Sequence, residues 1–132
     1  MKPITFFALL IGLNLLLISC EGNTDRTREI RNNTSGTINV FTAGTYISVF
    51  NQSVSKNKTE TLFITSQRGG SYYLESPAMG MTSMLITNAT GDTCTKDYKL
   101  DNNWEIQVEE RSKIPSDWQH QYTFVVHDSD FN

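Results

Sequence analysis

An all-β fold is predicted for this chain: a single antiparallel β-sandwich, immunoglobulin-like, of about 7–8 strands. Three observations predict it. Trp104-Glu105-Ile106-Gln107-Val108-Glu109 alternates apolar and polar residues strictly, the period of a half-buried strand, with Trp104, Ile106 and Val108 inward and the carboxylates outward. Gln121 to His127 repeats the pattern with Tyr122, Phe124 and Val126 inward, Val125 being the one breach on the outer face. Turn-forming clusters recur along the rest of the chain, and no helical period is sustained over ten residues.

The first element is not part of that domain. Lys2 is the only charged residue before Glu21, and Ile4 to Ile18 is apolar apart from Thr5, Gly12 and Asn14. Such a run is shorter than the roughly 20 residues a permanent membrane helix needs. A positive start, a short apolar core and a small residue before a cysteine match an export signal. Residues 1–19 are therefore read as a signal peptide and 20–29 as the start of the mature chain. The stretch after the cysteine, Glu21 to Glu29, has no aliphatic or aromatic side chain and reads as a flexible, solvated tether.

The sandwich is expected over residues 30–132. Its candidate strands are Arg28 to Asn32, Thr37 to Thr42, Thr45 to Phe50, Thr59 to Thr65, Ser71 to Glu75 and Ser83 to Asn88, followed by the two alternating segments above. Turn formers separate them: Asn32-Asn33-Thr34-Ser35-Gly36, Ala43-Gly44, Asn51-Gln52-Ser53, Arg68-Gly69-Gly70 and Gly91-Asp92. Pro115-Ser116-Asp117-Trp118 is read as a single helical turn. Five Asn-x-Ser/Thr matches, beginning at Asn32, Asn33, Asn51, Asn57 and Asn88, are read as turn and strand-edge residues.

Leu17-Ile18-Ser19-Cys20 resembles the lipobox of bacterial lipoproteins, in which the cysteine sulfur attacks a lipid donor and a protease seats the small residue before it. With that motif, "IRNNTSGTINVF" and the closing "YTFVVHDSDF", the chain resembles small outer-membrane lipoproteins of the Bacteroidota, a resemblance that supplies no activity. The positions that carry the likeness are Asn32, Asn33, Tyr122, Phe124, Val126, Asp130 and Phe131. The resemblance implies a covalent acyl lipid on Cys20, an outer-membrane location and a β-sandwich. Surface-displayed members often carry several acidic residues after the cysteine, whereas here Gly22, Asn23 and Thr24 separate Glu21 from Asp25, so surface and periplasmic faces both stay open.

Composition narrows the partners. The formal charge is −3, one unit more negative once Lys2 is removed, and there is no basic block, which excludes nucleic acid. Lipidation consumes the Cys20 thiol and leaves Cys94 without a disulfide partner. His120 and His127, seven apart, fall on opposite faces of one strand and do not chelate a metal together; both are read as solvated, His120 in a loop. Asp128-Ser129-Asp130 starts like a calcium loop but lacks the later glycine and bidentate carboxylate. Asp92, Asp97 and Asp101 crowd one segment and are read as a solubilising loop. No nucleophile elbow, phosphate loop or zinc-protease motif is present.

Two features are candidates for binding. Met79 and Met81, with Met84, form a cluster read either as a soft contact surface or as core filling. Tyr72 and Tyr73 are expected to place one ring on each face of a strand, the outward one available to a sugar or peptide. The sequence thus points to a lipid-anchored envelope protein without catalysis, cofactor or metal that binds a protein or glycan. The alternative is a periplasmic enzyme inhibitor or a small-ligand carrier with a β-barrel.

Overall fold

The computed structural model describes residues 21–132. The apolar N-terminal run and the lipidation expected at Cys20 lie outside the described residues. Among the described residues seven strands form two sheets: β1 (Asn23–Asn32), β2 (Ile38–Gly44), β3 (Phe50–Val54), β4 (Thr59–Arg68), β5 (Met81–Thr87), β6 (Trp104–Lys113) and β7 (Ser116–Val126). The larger sheet runs β4-β1-β7-β6 and the smaller β3-β2-β5, so the fold is the β-sandwich expected. The described strands do not close into a barrel.

The core lies between the sheets. Ile30, Phe63, Trp104, Tyr122, Phe124 and Val126 of the larger sheet meet Ile38, Val40, Phe50, Val54, Met81 and Ile86 of the smaller. The β7 segment behaves as its period requires, with Tyr122, Phe124 and Val126 fully buried; in the β6 segment Trp104 is buried and packs edge-on to Phe124 at 5.1 Å between ring centres, whereas Ile106 and Val108, expected inward, are not buried. Ile106 is half exposed because β6 is the outer strand of the wider sheet, beyond the cover of the three-stranded one. Val125 is buried on the outer face, where β7 is flanked by β1 and β6.

Several expected elements differ. The stretch read as a tether is most of β1: Asn23 to Glu29 pair with β4 on one side, Thr24 to Glu29 with β7 on the other, and Thr24, Arg26, Thr27 and Arg28 are buried. Polar side chains are tolerated there because both neighbouring strands satisfy the backbone and the inward polar groups, Arg26 Nε excepted, find partners. The β1 and β7 strands run parallel, a departure from an all-antiparallel arrangement. Asn51-Gln52-Ser53, expected as a turn, lies in β3, an edge strand whose solvent side accommodates polar residues. Thr45 to Val49 is instead a loop, and Tyr46 there takes a left-handed conformation (φ 66°) that ends the extended chain. Ser71 to Glu75 has no strand pairing, and Pro115-Ser116-Asp117-Trp118 belongs to the β6–β7 hairpin rather than to a helix.

Two details give the sandwich its register. A bulge in the β1–β4 ladder at Arg28/Glu29 lets the adjacent Leu62 and Phe63 both turn inward. At the β1–β2 turn, the wholly buried Asn32 side chain donates from Nδ2 to the Gly36 and Val54 carbonyls, both at 2.8 Å. Its Oδ1 accepts from the Thr34 amide at 2.9 Å and the Thr34 hydroxyl at 2.7 Å. One side chain thereby joins the end of β1 to the turn and to the end of β3.

Candidate functional site

The smaller sheet is shorter than the larger, so the inner face of β1 and β7 runs on past the end of β2. Positions 24, 26 and 28 of β1 share this face with His120 and Tyr122, their neighbours in the β7 ladder. Segment 71–80 folds over it. The Ser71 amide donates to Thr24 Oγ1 at 2.9 Å, and the Ser71 carbonyl accepts from His120 Nε2 at 2.9 Å. The Thr45 amide donates to the Gly80 carbonyl at 2.9 Å, tying the segment to the end of β2.

Beneath this cover lie two buried guanidiniums. Arg28 is stacked between the Phe63 and Tyr122 rings, 5.2 and 5.1 Å from their centres. It donates to the Thr65 hydroxyl at 2.6 Å, the Arg26 carbonyl at 3.2 Å and the Pro77 carbonyl at 3.3 Å. Arg26 donates from Nη1 to Gln67 Oε1 at 3.2 Å. Both approach one carboxylate oxygen, Glu75 Oε2, at 3.5 Å from Arg26 Nε and 3.7 Å from Arg28 Nη2. Those contacts are longer than hydrogen bonds, and Arg26 Nε is left buried without a hydrogen-bond acceptor. Two cations thus face one anion.

The cluster forms one wall of a cleft of about 220 Å³ between the sheets, opening beside β4. Thr65, Ser66 and Gln67 line one side, and Thr45, Tyr46, Ile47, Met79 and Gly80 the other. Tyr46 is fully exposed at the rim, in a backbone conformation that non-glycine residues adopt at a cost.

Burial sets the protonation of the groups at the base. It lowers Arg28 from its ordinary value, opposed by Tyr122 and Glu75. It raises the Tyr122 phenol, which Arg28 and Arg26 pull back down. Burial also lowers His120; its bond to the Ser71 carbonyl opposes this, while the two arginine charges reinforce it. His120 is therefore neutral with its proton on Nε2. Above about pH 6.5 neither the folded nor the unfolded chain is protonated there. As pH falls below that, the unfolded imidazole gains its proton first, and stability is lost down to the folded value. Urea unfolding midpoints are expected to fall between pH 7 and 5, with the histidine's share of the slope absent in His120→Gln.

The residues predicted from sequence fall in different places. Met79 is exposed at the cleft, whereas Met81 is in the core and presents no contact surface. Tyr72 and Tyr73 are both exposed, on an irregular segment rather than on opposite faces of a strand. His120, read as a solvated loop residue, is buried in β7, while His127 is exposed just after it. Cys94 is partly buried beside Phe131, and burial raises its thiol. Asp92, Asp97 and Asp101 are engaged separately, by Thr90 and Asn88, by the Lys99 amide, and by Ser76. Among the described residues no group of three or more His, Cys, Asp or Glu converges as metal ligands would.

Arg26, Arg28 and Glu75 escaped the sequence reading because hydrophobic periodicity is silent about a strand whose inward positions are polar. The available signal was the spacing of Arg26, Arg28 and Ile30, which puts two arginines on the face of an apolar residue. Comparison with protein-family models, with curated proteins and with solved structures returns no match to this chain.

Proposed function

We propose that this protein is a lipid-anchored accessory protein of the outer membrane, without catalysis of its own, that binds a carboxylate-bearing partner, protein or glycan, in the cleft beside β4. The lipobox-like motif supports the anchor, and the cleft supports the chemistry. One observation carries the binding reading: two buried guanidiniums share a single carboxylate, and Arg26 Nε lacks an acceptor. A ligand carboxylate supplies the missing negative charge and the missing acceptor. About 220 Å³ is small beside the usual range for whole-ligand pockets and suits one acidic group of a larger partner. Tyr46 and Met79 at the rim provide apolar and aromatic contact around it.

The test is an NMR titration that follows the arginine Nε–H resonances with glucuronate and with a short aspartyl peptide as probes. The Arg26 resonance is expected to shift saturably with at least one probe. Glu75→Gln, which removes the competing carboxylate, is expected to tighten binding. No shift with either probe, or weaker binding in Glu75→Gln with the fold intact, defeats the reading.

A second reading, an inhibitor of an envelope enzyme, is favoured by the Thr45–Val49 loop. It projects the fully exposed Tyr46 at a left-handed φ, as a docking loop over a solid core does. Inhibition of such an enzyme, lost in Tyr46→Ala and retained in Glu75→Gln, would favour it over carboxylate binding.

A further inference from the structure

The end of the sandwich where β1 begins differs from its other surfaces. The Gly22 carbonyl accepts from the Gly69 amide at 2.6 Å, and the Asn23 amide donates to Asp117 Oδ1 at 2.7 Å. Gly22 and Gly70 both abut the Ser116 carbonyl so closely that a Cβ on either would overlap it. The start of β1, the end of β4 and the β6–β7 hairpin are thus joined into one end of the molecule.

Large apolar side chains are exposed at this end, beside a partly buried tryptophan. Ile114, at the hairpin tip, is 86% exposed, and Tyr72 and Tyr73 are 69% and 74% exposed. Trp118 opposes Thr24 in the β1–β7 ladder, meets Tyr72 edge-on at 5.6 Å and donates from its indole nitrogen to Ser116 Oγ at 2.9 Å. Arg68 and Lys113 flank them, opposed by Glu21 and Asp117, so charge alone does not explain the patch.

The length of chain outside the described residues says what covers this surface. Gly22 is already tied into the fold, and Cys20 is two residues before it. Two residues span at most about 7 Å, comparable with the roughly 5–8 Å interfacial layer of one leaflet. An acyl chain on Cys20 leaves this end no room to stand away from the bilayer.

We infer that Tyr72, Tyr73, Ile114 and Trp118 form a membrane-seating surface, which holds the sandwich upright on the lipid headgroups with its β1 end against the bilayer. The inference rests on the lipid-anchor reading. Tyrosine and tryptophan suit this boundary because each has an apolar ring and a polar atom that stays hydrated. Seating does not require anionic lipid.

The test uses the full chain purified from membranes and reconstituted into phosphatidylcholine vesicles, with flotation reporting attachment. Vesicles carrying bromine near the headgroup end of the acyl chain are expected to quench tryptophan emission, and Trp118→Phe to abolish that quenching, leaving buried Trp104 unaffected. Ile114→Asn, at an exposed tip, is expected to reduce the quenching of Trp118 with no change in unfolding. Flotation without Trp118-dependent quenching overturns the seating surface and leaves the anchor standing. Failure to float, or a mature chain whose Cys20 carries no acyl adduct by mass spectrometry, overturns the anchor and the inference with it. Emission that changes with protein density but not with bromine assigns the patch to a second copy and overturns the inference.

Discussion

Asn32→Ala is expected to lower the unfolding free energy by about 3 kcal/mol, seen as a lower urea midpoint at unchanged m-value. The residue is fully buried, and all its side-chain hydrogen-bonding capacity is used. Truncation strips a donor from the Gly36 and Val54 carbonyls and an acceptor from Thr34. Each buried group left unsatisfied costs roughly 1–3 kcal/mol, part of which is offset where water enters or where Thr34 already serves Gly36. Asn32→Asp separates hydrogen bonding from shape: the volume is kept, but the two donors become acceptors aimed at carbonyl oxygens. At neutral pH it is expected to destabilise at least as much as alanine. A loss below about 1 kcal/mol in both variants would show that the turn holds without this side chain.

Arg28→Met is expected to cost about 3 kcal/mol by the same measurement, the lower end of the range for breaking a buried ion pair, because Glu75 is partly exposed and keeps Arg26. Methionine retains apolar length between Phe63 and Tyr122, so the loss reports the guanidinium. Thr65, Pro77 and the Arg26 carbonyl all lose a donor. Arg28→Lys is expected to recover only part, since a single ammonium cannot reach three acceptors and the carboxylate in the geometry of a planar fork. Equal stability of the lysine variant and the original chain would refute a role for the fork itself.

These predictions concern residues whose inward orientation could not be seen in the sequence with equal ease. Trp104, Tyr122, Phe124 and Val126 were legible because an apolar residue at every second position has one economical burial pattern. In β1 the inward positions are Thr24, Arg26, Arg28, Ile30 and Asn32, only one of them apolar, so the same period was present without its usual marker. His120 was misread for the same reason: Gln119, His120 and Gln121 look like a polar loop until Tyr122 and Phe124 are extended backwards by twos. Ser71 to Glu75 has aromatic residues of strand character, but its backbone is bound to Thr24 and His120 rather than to a neighbouring strand, a contact no local pattern encodes. The methionines divided by position, Met81 entering the core at the start of β5 and Met79 remaining outside the strand.

The parallel β1–β7 ladder has a consequence for the order of events in the cell. Its partners are all 94 positions apart, joining the first described strand to the last. Contacts of such separation form slowly, because a long loop must close before any of them contributes. A chain emerging from its N-terminus has no β7 with which to complete the larger sheet until Ser116–Val126 has appeared. The centre of that sheet is therefore assembled last.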